Sequence, residues 1–410
     1  MQRRCGQVFL MILLSTRGWM IVRLDELINF RKDLLFHGAV QLGWFTREKS
    51  IAEKAASHYI FHGPSYYGAT TGKKEDYESQ LKDTASFTKE VLERLTGRIA
   101  DEPFTIAVAG YGTGKSHLAL TLATMISKPK AEATSKILDN LLRVDREIGE
   151  QISKIIDSIK EKPYLVVTLN GMEDFDLANE ISRQILLRLE EAEIDTTVLE
   201  NLRPRFKTAQ NFVESFSESL TEDFWQYFGT SYCIQDIIQK LKVQDEEVFK
   251  KVNQIYTKRI GTSISAVGQE SLQDFIRVVK EFYCGPKKPF GGLMIIFDEF
   301  GRYLEFAVQK PHIAGPAALQ QLFEAVQENS DSVFLLSFIQ YELKAYISRV
   351  APERQEDITR YVTRYDGVLK VRLSTNLETV IASLLEKKNI EAILKSISCY
   401  DIKLERIQTL

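Results

Sequence analysis

The segment Thr105-Ile106-Ala107-Val108-Ala109-Gly110-Tyr111-Gly112-Thr113-Gly114-Lys115-Ser116 constrains this chain more than any other. Residues 105–108 read as a short buried strand. They run directly into a loop holding three glycines, and Leu118, Leu120, Leu122, Met125 and Ile126 then mark an apolar helix. Strand, glycine loop and helix in that order commit the chain to an α/β fold with a parallel sheet. Gly112 and Gly114 let the backbone curl until its N–H groups point at one anion. The helix that follows aims its positive end at the same place. Phosphate groups suit such a cradle. Lys115 can reach outer phosphates, and the Ser116 hydroxyl can ligate Mg²⁺. Ala109 stands where the usual pattern has its first glycine; Gly110 keeps the turn flexible.

A second motif lies far downstream. Leu293-Met294-Ile295-Ile296-Phe297 reads as a buried strand ending at Asp298-Glu299. Carboxylates at the C-terminal end of a parallel strand sit at the edge where ligands bind in open α/β sheets. Asp298 is placed to hold Mg²⁺ through its water shell. Glu299, one residue further, is placed to polarise an attacking water as a general base. Alone, the pair also fits an acidic strand end before a turn at Gly301; the glycine loop upstream favours the chemical reading.

With both motifs in view, the chain resembles the ASCE branch of P-loop ATPases, near the AAA+ and STAND groups. The resemblance covers roughly residues 103–390. It implies ATP and Mg²⁺ as cofactors, with residues 109–116 and the adjoining His117 around the nucleotide, and Lys115 and Glu299 in catalysis. It also implies a five-stranded parallel sheet of order 5-1-4-3-2, flanked by helices. Tyr164–Leu169 fits the strand that this branch inserts, Val333–Gln340 the fourth strand and Val368–Leu373 the fifth. The family places a polar sensor at the end of the fourth strand, here Gln340, which also fits a solvated strand end. It often carries an arginine before the fifth strand that reaches a neighbouring subunit's ATP. Arg360 and Arg364 stand there, Arg364 the better placed, and a solvated helix face explains them equally well. The wording of residues 110–116, with a large helical insertion, is also similar to large ATPases of prokaryotic phage-defence systems of the BREX type.

The remaining chain divides around these motifs. Residues 1–19 read as a leader, or as lying before a true start at Met20; Arg3 and Arg4 precede an apolar run, Val8–Leu14, too short to span a bilayer. Residues 20–102 read as a helical N-terminal region, with helix expected over Tyr77–Leu95 and an exposed loop over Gly68–Lys74. The ATPase core takes 103–189 and 291–390, split by a helical insertion at 190–290; a short helical tail follows over 391–410.

Charge and cysteine content narrow the partners. A formal net charge of -3 gives no electrostatic case for bulk nucleic-acid binding, though a local basic surface stays open. Four dispersed cysteines without a CxxC pair indicate neither zinc nor a disulfide framework, so a cytoplasmic location is expected and no membrane partner. His58 and His62 have helical spacing but no adjacent third ligand, so they read as polar edges of an aromatic-rich segment. The expected activity is ATP hydrolysis, by a motor or switch that acts on a macromolecule, with DNA-linked defence as one setting. A homo-oligomer or a protein partner is expected. The competing expectation is a slow, STAND-like switch whose insertion docks a protein. A small-molecule kinase ranks last, because no acceptor-binding signature is visible.

Overall fold

The computed structural model describes residues 10–15, 18–23, 27–31, 36, 38–64, 81–98, 102–200, 202, 204–264, 271–315, 317–374 and 384–388. Its centre is one parallel sheet. The strands are β4 (Leu81–Lys82), β5 (Phe104–Val108), β6 (Leu165–Asn170), β7 (Leu293–Asp298), β8 (Val333–Ile339) and β9 (Leu369–Leu373). They lie in the order β4-β9-β5-β8-β7-β6, and every neighbouring pair is parallel.

Both faces of the sheet are covered, which is why its strands read as continuous apolar runs. Alternate residues serve opposite cores, as the two-residue period of a strand requires. Ile295 and Phe297 of β7, with Ile106 of β5 and Leu335 of β8, face helices Leu177–Glu191, Leu272–Tyr283, Phe300–Gln309, Ala318–Glu328 and Gln355–Asp366. Ile296, Ala107, Leu336 and Val371 face helices Lys49–Ala56, Thr84–Leu95, Lys115–Ser127, Glu132–Val144 and Arg146–Ile159. A third core lies apart from the sheet. Helices Pro204–Phe216, Thr221–Phe228, Ile234–Lys242 and Glu246–Ile260 close it around Phe206, Phe212, Phe224, Leu241 and Phe249.

The five-stranded sheet expected from sequence is corrected to six. Five strands keep the expected relative order, and β4 is added beyond β9, pairing Leu81 with Arg372 and Lys82 with Leu373. The cause is a helix cap. Asp83 is extended and accepts from the Ser86 N–H at 2.7 Å, so the helix starts at Thr84. Leu81 and Lys82 are left extended beside the open edge of β9.

The N-terminal region also departs from a wholly helical reading. β1 (Leu10–Ser15), in the stretch read as a leader, pairs antiparallel with β2 (Gly18–Arg23), which runs into the region read as helical. β3 (Ile28–Phe30) pairs antiparallel with β10 (Leu385–Lys387). Apolar runs paired antiparallel satisfy each other's backbone groups, an outcome that period alone did not separate from helix. The tail 391–410, the loop Gly68–Lys74, Cys5 and Cys399 lie outside the described residues. Among the described residues, no helix is long and apolar enough to cross a membrane.

One close approach fixes the helical hairpin on the outer face. A Cβ at Gly149, on helix Arg146–Ile159, would lie 2.8 Å from the backbone N and Cα of Leu142. Backbone cannot yield as a flexible side chain can. We expect Gly149→Ala to destabilise the fold by about 1–3 kcal/mol in urea unfolding, whereas Gly367→Ala, where a Cβ meets nothing within 4 Å, leaves it nearly unchanged.

Candidate functional site

Sheet register assembles the site. Val108 pairs with Ile339, and Phe297 with Ser337. The C-terminal ends of β5, β7 and β8 therefore share one edge, which carries the glycine loop, Asp298-Glu299 and Gln340. Within the loop, Gly112 has φ 72° and Gly114 φ 82°, left-handed values that favour glycine. The Thr113 hydroxyl donates to the Gly110 carbonyl at 2.9 Å, and Ala109 N–H donates to Ile339 O at 3.1 Å. Tyr111 stands at the exposed tip.

Lys115 opens the following helix yet is buried. Its Nζ donates to Gly110 O at 2.9 Å and lies 4.0 Å from the Glu299 carboxylate. Burial lowers its pKa, with Glu299 and Asp298 opposing that shift. Asp298 is buried at the end of β7. Burial pushes its carboxyl above the ordinary carboxylate range, while the nearby Ser116 hydroxyl opposes that shift. Ser116 and Asp298 are thus neighbouring oxygen donors. One carboxylate and one hydroxyl fit Mg²⁺, which keeps most of its waters. Among the described residues there is no cluster of three or more acidic, His or Cys side chains arranged to hold a metal.

Glu299 is held in a costly conformation. Its φ of 53° and ψ of 38° are left-handed, a strain that non-glycine residues carry chiefly at functional sites. Its N–H donates to Asp298 Oδ1 at 3.0 Å. Gln340 Nε2 donates to Glu299 Oε1 at 3.1 Å. Glu299 Oε2 is buried with no hydrogen-bond partner. A buried carboxylate oxygen without a donor is an acceptor that the rest of the folded chain leaves unsatisfied.

Three residues hold this arrangement: Gly171 and Tyr346, which sequence reasoning missed, and Gly301, which it read as a turn and which lies in helix Phe300–Gln309. Gly171, just after β6, donates its N–H to Asp298 O at 2.8 Å, and a Cβ there would run into the Glu299 carbonyl. Tyr346 is buried, and its hydroxyl accepts from Gln340 N–H at 3.3 Å. A Cβ at Gly301 would strike the Tyr346 ring. Gly171 directly follows a buried strand and Gly301 stands two residues after Glu299, which was the available signal. Tyr346 had none.

The N-terminal segment backs the loop. His117 Nε2 donates to Ala55 O at 2.7 Å, and its ring meets Tyr59 edge-on at 5.0 Å. The imidazole expected near the nucleotide is thus engaged with this segment. Arg364 is not brought into the cluster; it lines a surface groove with Arg354, Arg360 and Gln320. His62 is buried, bonding Ser374 Oγ at 2.7 Å and Thr84 Oγ1 at 3.1 Å.

The raised pKa of Asp298 has a consequence for stability. Its native state holds the proton more tightly than the unfolded chain does. The stabilisation is therefore full below the unfolded carboxylate pKa and is lost as pH rises through the folded value. Without ligand, Asp298→Asn should raise stability at pH 7 by about 1–3 kcal/mol, the scale of a relieved buried charge. Urea unfolding from about pH 4 to 8 checks this; the gain should shrink on acidification. No protein-family model matches the chain, and a search of curated proteins finds no match to it.

Proposed function

We propose that this chain binds Mg-ATP at residues 109–117 and hydrolyses it, using the turnover to drive or switch a macromolecular partner. The observation that carries this reading is the convergence at one sheet edge of Lys115, the Ser116–Asp298 pair and Glu299 with its unpartnered Oε2. Ser116 and Asp298 would hold Mg²⁺, which supplies positive charge to the outer phosphates when bound. Loop N–H groups between Gly110 and Ser116 would bind phosphate oxygens. Lys115 would exchange Gly110 O for a phosphate oxygen, since a buried ammonium gains most from an anionic partner. Glu299 Oε2 would take the proton from the attacking water. Gln340 fixes the other oxygen of that carboxylate, which sets the direction of Oε2. Gln340 thereby acts as the polar sensor that the resemblance implies.

A slow switch is a second reading, and one observation favours it. Lys115 and Glu299 are both occupied by groups of the chain itself, Gly110 O and Gln340 Nε2, so the site rests in a closed arrangement. Binding without rapid turnover is its signature. In either case Arg364 would act only across a contact with a second copy, and ATP-dependent self-association measured by light scattering tests that role.

Two variants separate binding from chemistry. Lys115→Ala should remove measurable ATP binding in a titration. Glu299→Gln keeps shape and hydrogen bonding but loses basicity, so ATP affinity should stay near the parent while phosphate release falls about 10²-fold or more. Parental turnover in Glu299→Gln would place the base elsewhere. Turnover compared alone and with single- or double-stranded DNA distinguishes a DNA-linked motor from a protein-directed switch.

A further inference from the structure

Arg349 follows the short helix Lys344–Ile347, which the chain forms soon after Gln340 and Tyr341. Its guanidinium lies 4.2 Å from the centre of the Tyr341 ring and 5.2 Å from that of Tyr346. The two rings meet edge-on, 6.3 Å apart. The same guanidinium approaches Glu305 Oε1 at 3.9 Å. Glu305 is buried in helix Phe300–Gln309, the helix that Glu299 caps. Its Oε2 already accepts from Arg302 at 3.0 Å, and its Oε1 has no hydrogen-bond donor. Arg349 supplies charge to that oxygen without closing a hydrogen bond on it.

One side chain therefore joins two elements. The segment after β8 carries Gln340, and the helix after β7 is capped by Glu299. The Tyr346 ring packs on that helix at Gly301, and its hydroxyl accepts from the Gln340 N–H at 3.3 Å. Gln340 Nε2 then donates to Glu299 Oε1 at 3.1 Å. Arg349 thus bears directly on the ring whose hydroxyl holds the residue that aims the carboxylate. Tyr341 also lies toward the glycine loop: burial lowers the Lys115 pKa, and Tyr341 is among the groups that oppose this, after Glu299 and Asp298. An ordinary surface ion pair needs none of this, since exposed pairs are loosely held and contribute little. A planar guanidinium can stack on aromatic faces while its N–H groups face a carboxylate. Lysine has no plane to lay on the rings.

We propose that Arg349 is a positioning residue for the reaction at this sheet edge. It clamps Tyr341 and Tyr346 against the helix that Glu299 caps, and so fixes how Gln340 directs the Glu299 carboxylate. The role rests on the hydrolysis reading above, in which Glu299 Oε2 takes the proton. It needs no second copy of the chain, unlike the role of Arg364. Arg349 acts through Gln340 and not on the nucleotide, so its loss appears in turnover and not in ATP affinity. A displaced base costs rate because base and attacking water must be aligned when the proton moves.

The test uses the full chain, with ATP affinity read by titration and kcat by phosphate release at saturating Mg-ATP. Arg349→Ala should bind ATP within about 2-fold of the parent and lose kcat about 10-fold. In a Gln340→Ala background the same substitution should change kcat by less than about 2-fold, because its effect runs through Gln340. The Arg349 side chain is 38% exposed and Arg302 still holds Glu305, so the melting temperature should stay near the parental value. Arg349→Lys keeps the charge beside Glu305 and is the variant to read if Arg349→Ala fails to fold. It gives up the planar stack and should lose kcat as well. Parental kcat in Arg349→Lys would overturn the proposal. So would an equal loss in both backgrounds, which would give Arg349 a structural role only. Weaker ATP binding at unchanged kcat would overturn it too, by making Arg349 a phosphate-binding residue. A parent without turnover would overturn the hydrolysis reading itself, and this role with it.

Discussion

The pairing of Val108 with Ile339 and of Phe297 with Ser337 sets the level at which three strands end. Everything at the candidate site follows from that level. A slip of one residue in any of these strands would reverse its faces, sending Ile296 and Phe297 to each other's core. The two cores forbid it, because every residue of β7 is buried. Hydrophobic packing on both faces therefore fixes where Lys115, Asp298 and Gln340 meet. The polar cluster itself contributes little to that placement.

The cluster runs against stability. A lysine and two carboxylates are gathered where Lys115 and Asp298 are almost wholly shielded from water. Glu299 adds a left-handed backbone and a carboxylate oxygen with no donor. Mutual attraction offsets only part of the cost of burying charge. Local rules broken together at one place, within a core that obeys them elsewhere, are what single out this sheet edge as the candidate site. Gln244 breaks the same rules on a smaller scale, with a left-handed backbone and a buried, unpartnered amide. In both places a loop end next to a helix start carries the strain.

The supports of the site show how distant segments act on one carboxylate. Gly171 packs against the Glu299 backbone carbonyl from the end of β6, Gln340 bonds the carboxylate from the end of β8, and Tyr346 acts through Gln340 from the helix beyond. On the other side, Ala55 and Tyr59 hold His117 beside the glycine loop. Sequence separations of more than forty residues intervene in each of the links from Glu299 to Gln340 and from His117 to Ala55. Such links carry no local signal, since their spacing is set by loop lengths and not by a helical or strand period.

Sequence alone determined what is local. The run Thr105–Ser116 specified a strand, a left-handed glycine loop and a helix, because φ at Gly112 and Gly114 is open to glycine and closed to most residues. Apolar runs specified the buried strands, including β7 and its acidic end. Tertiary structure decided the rest. It added β4 to an edge that only the folded sheet creates, and it paired N-terminal apolar runs into strands whose partners are not read from period. It kept Arg364 out of the cluster and turned the His117 ring toward Ala55. It also left Gln244 and Glu299 with buried atoms unsatisfied. Whether a polar atom finds a partner depends on which chains of the fold surround it, and that is known only once the layers are packed.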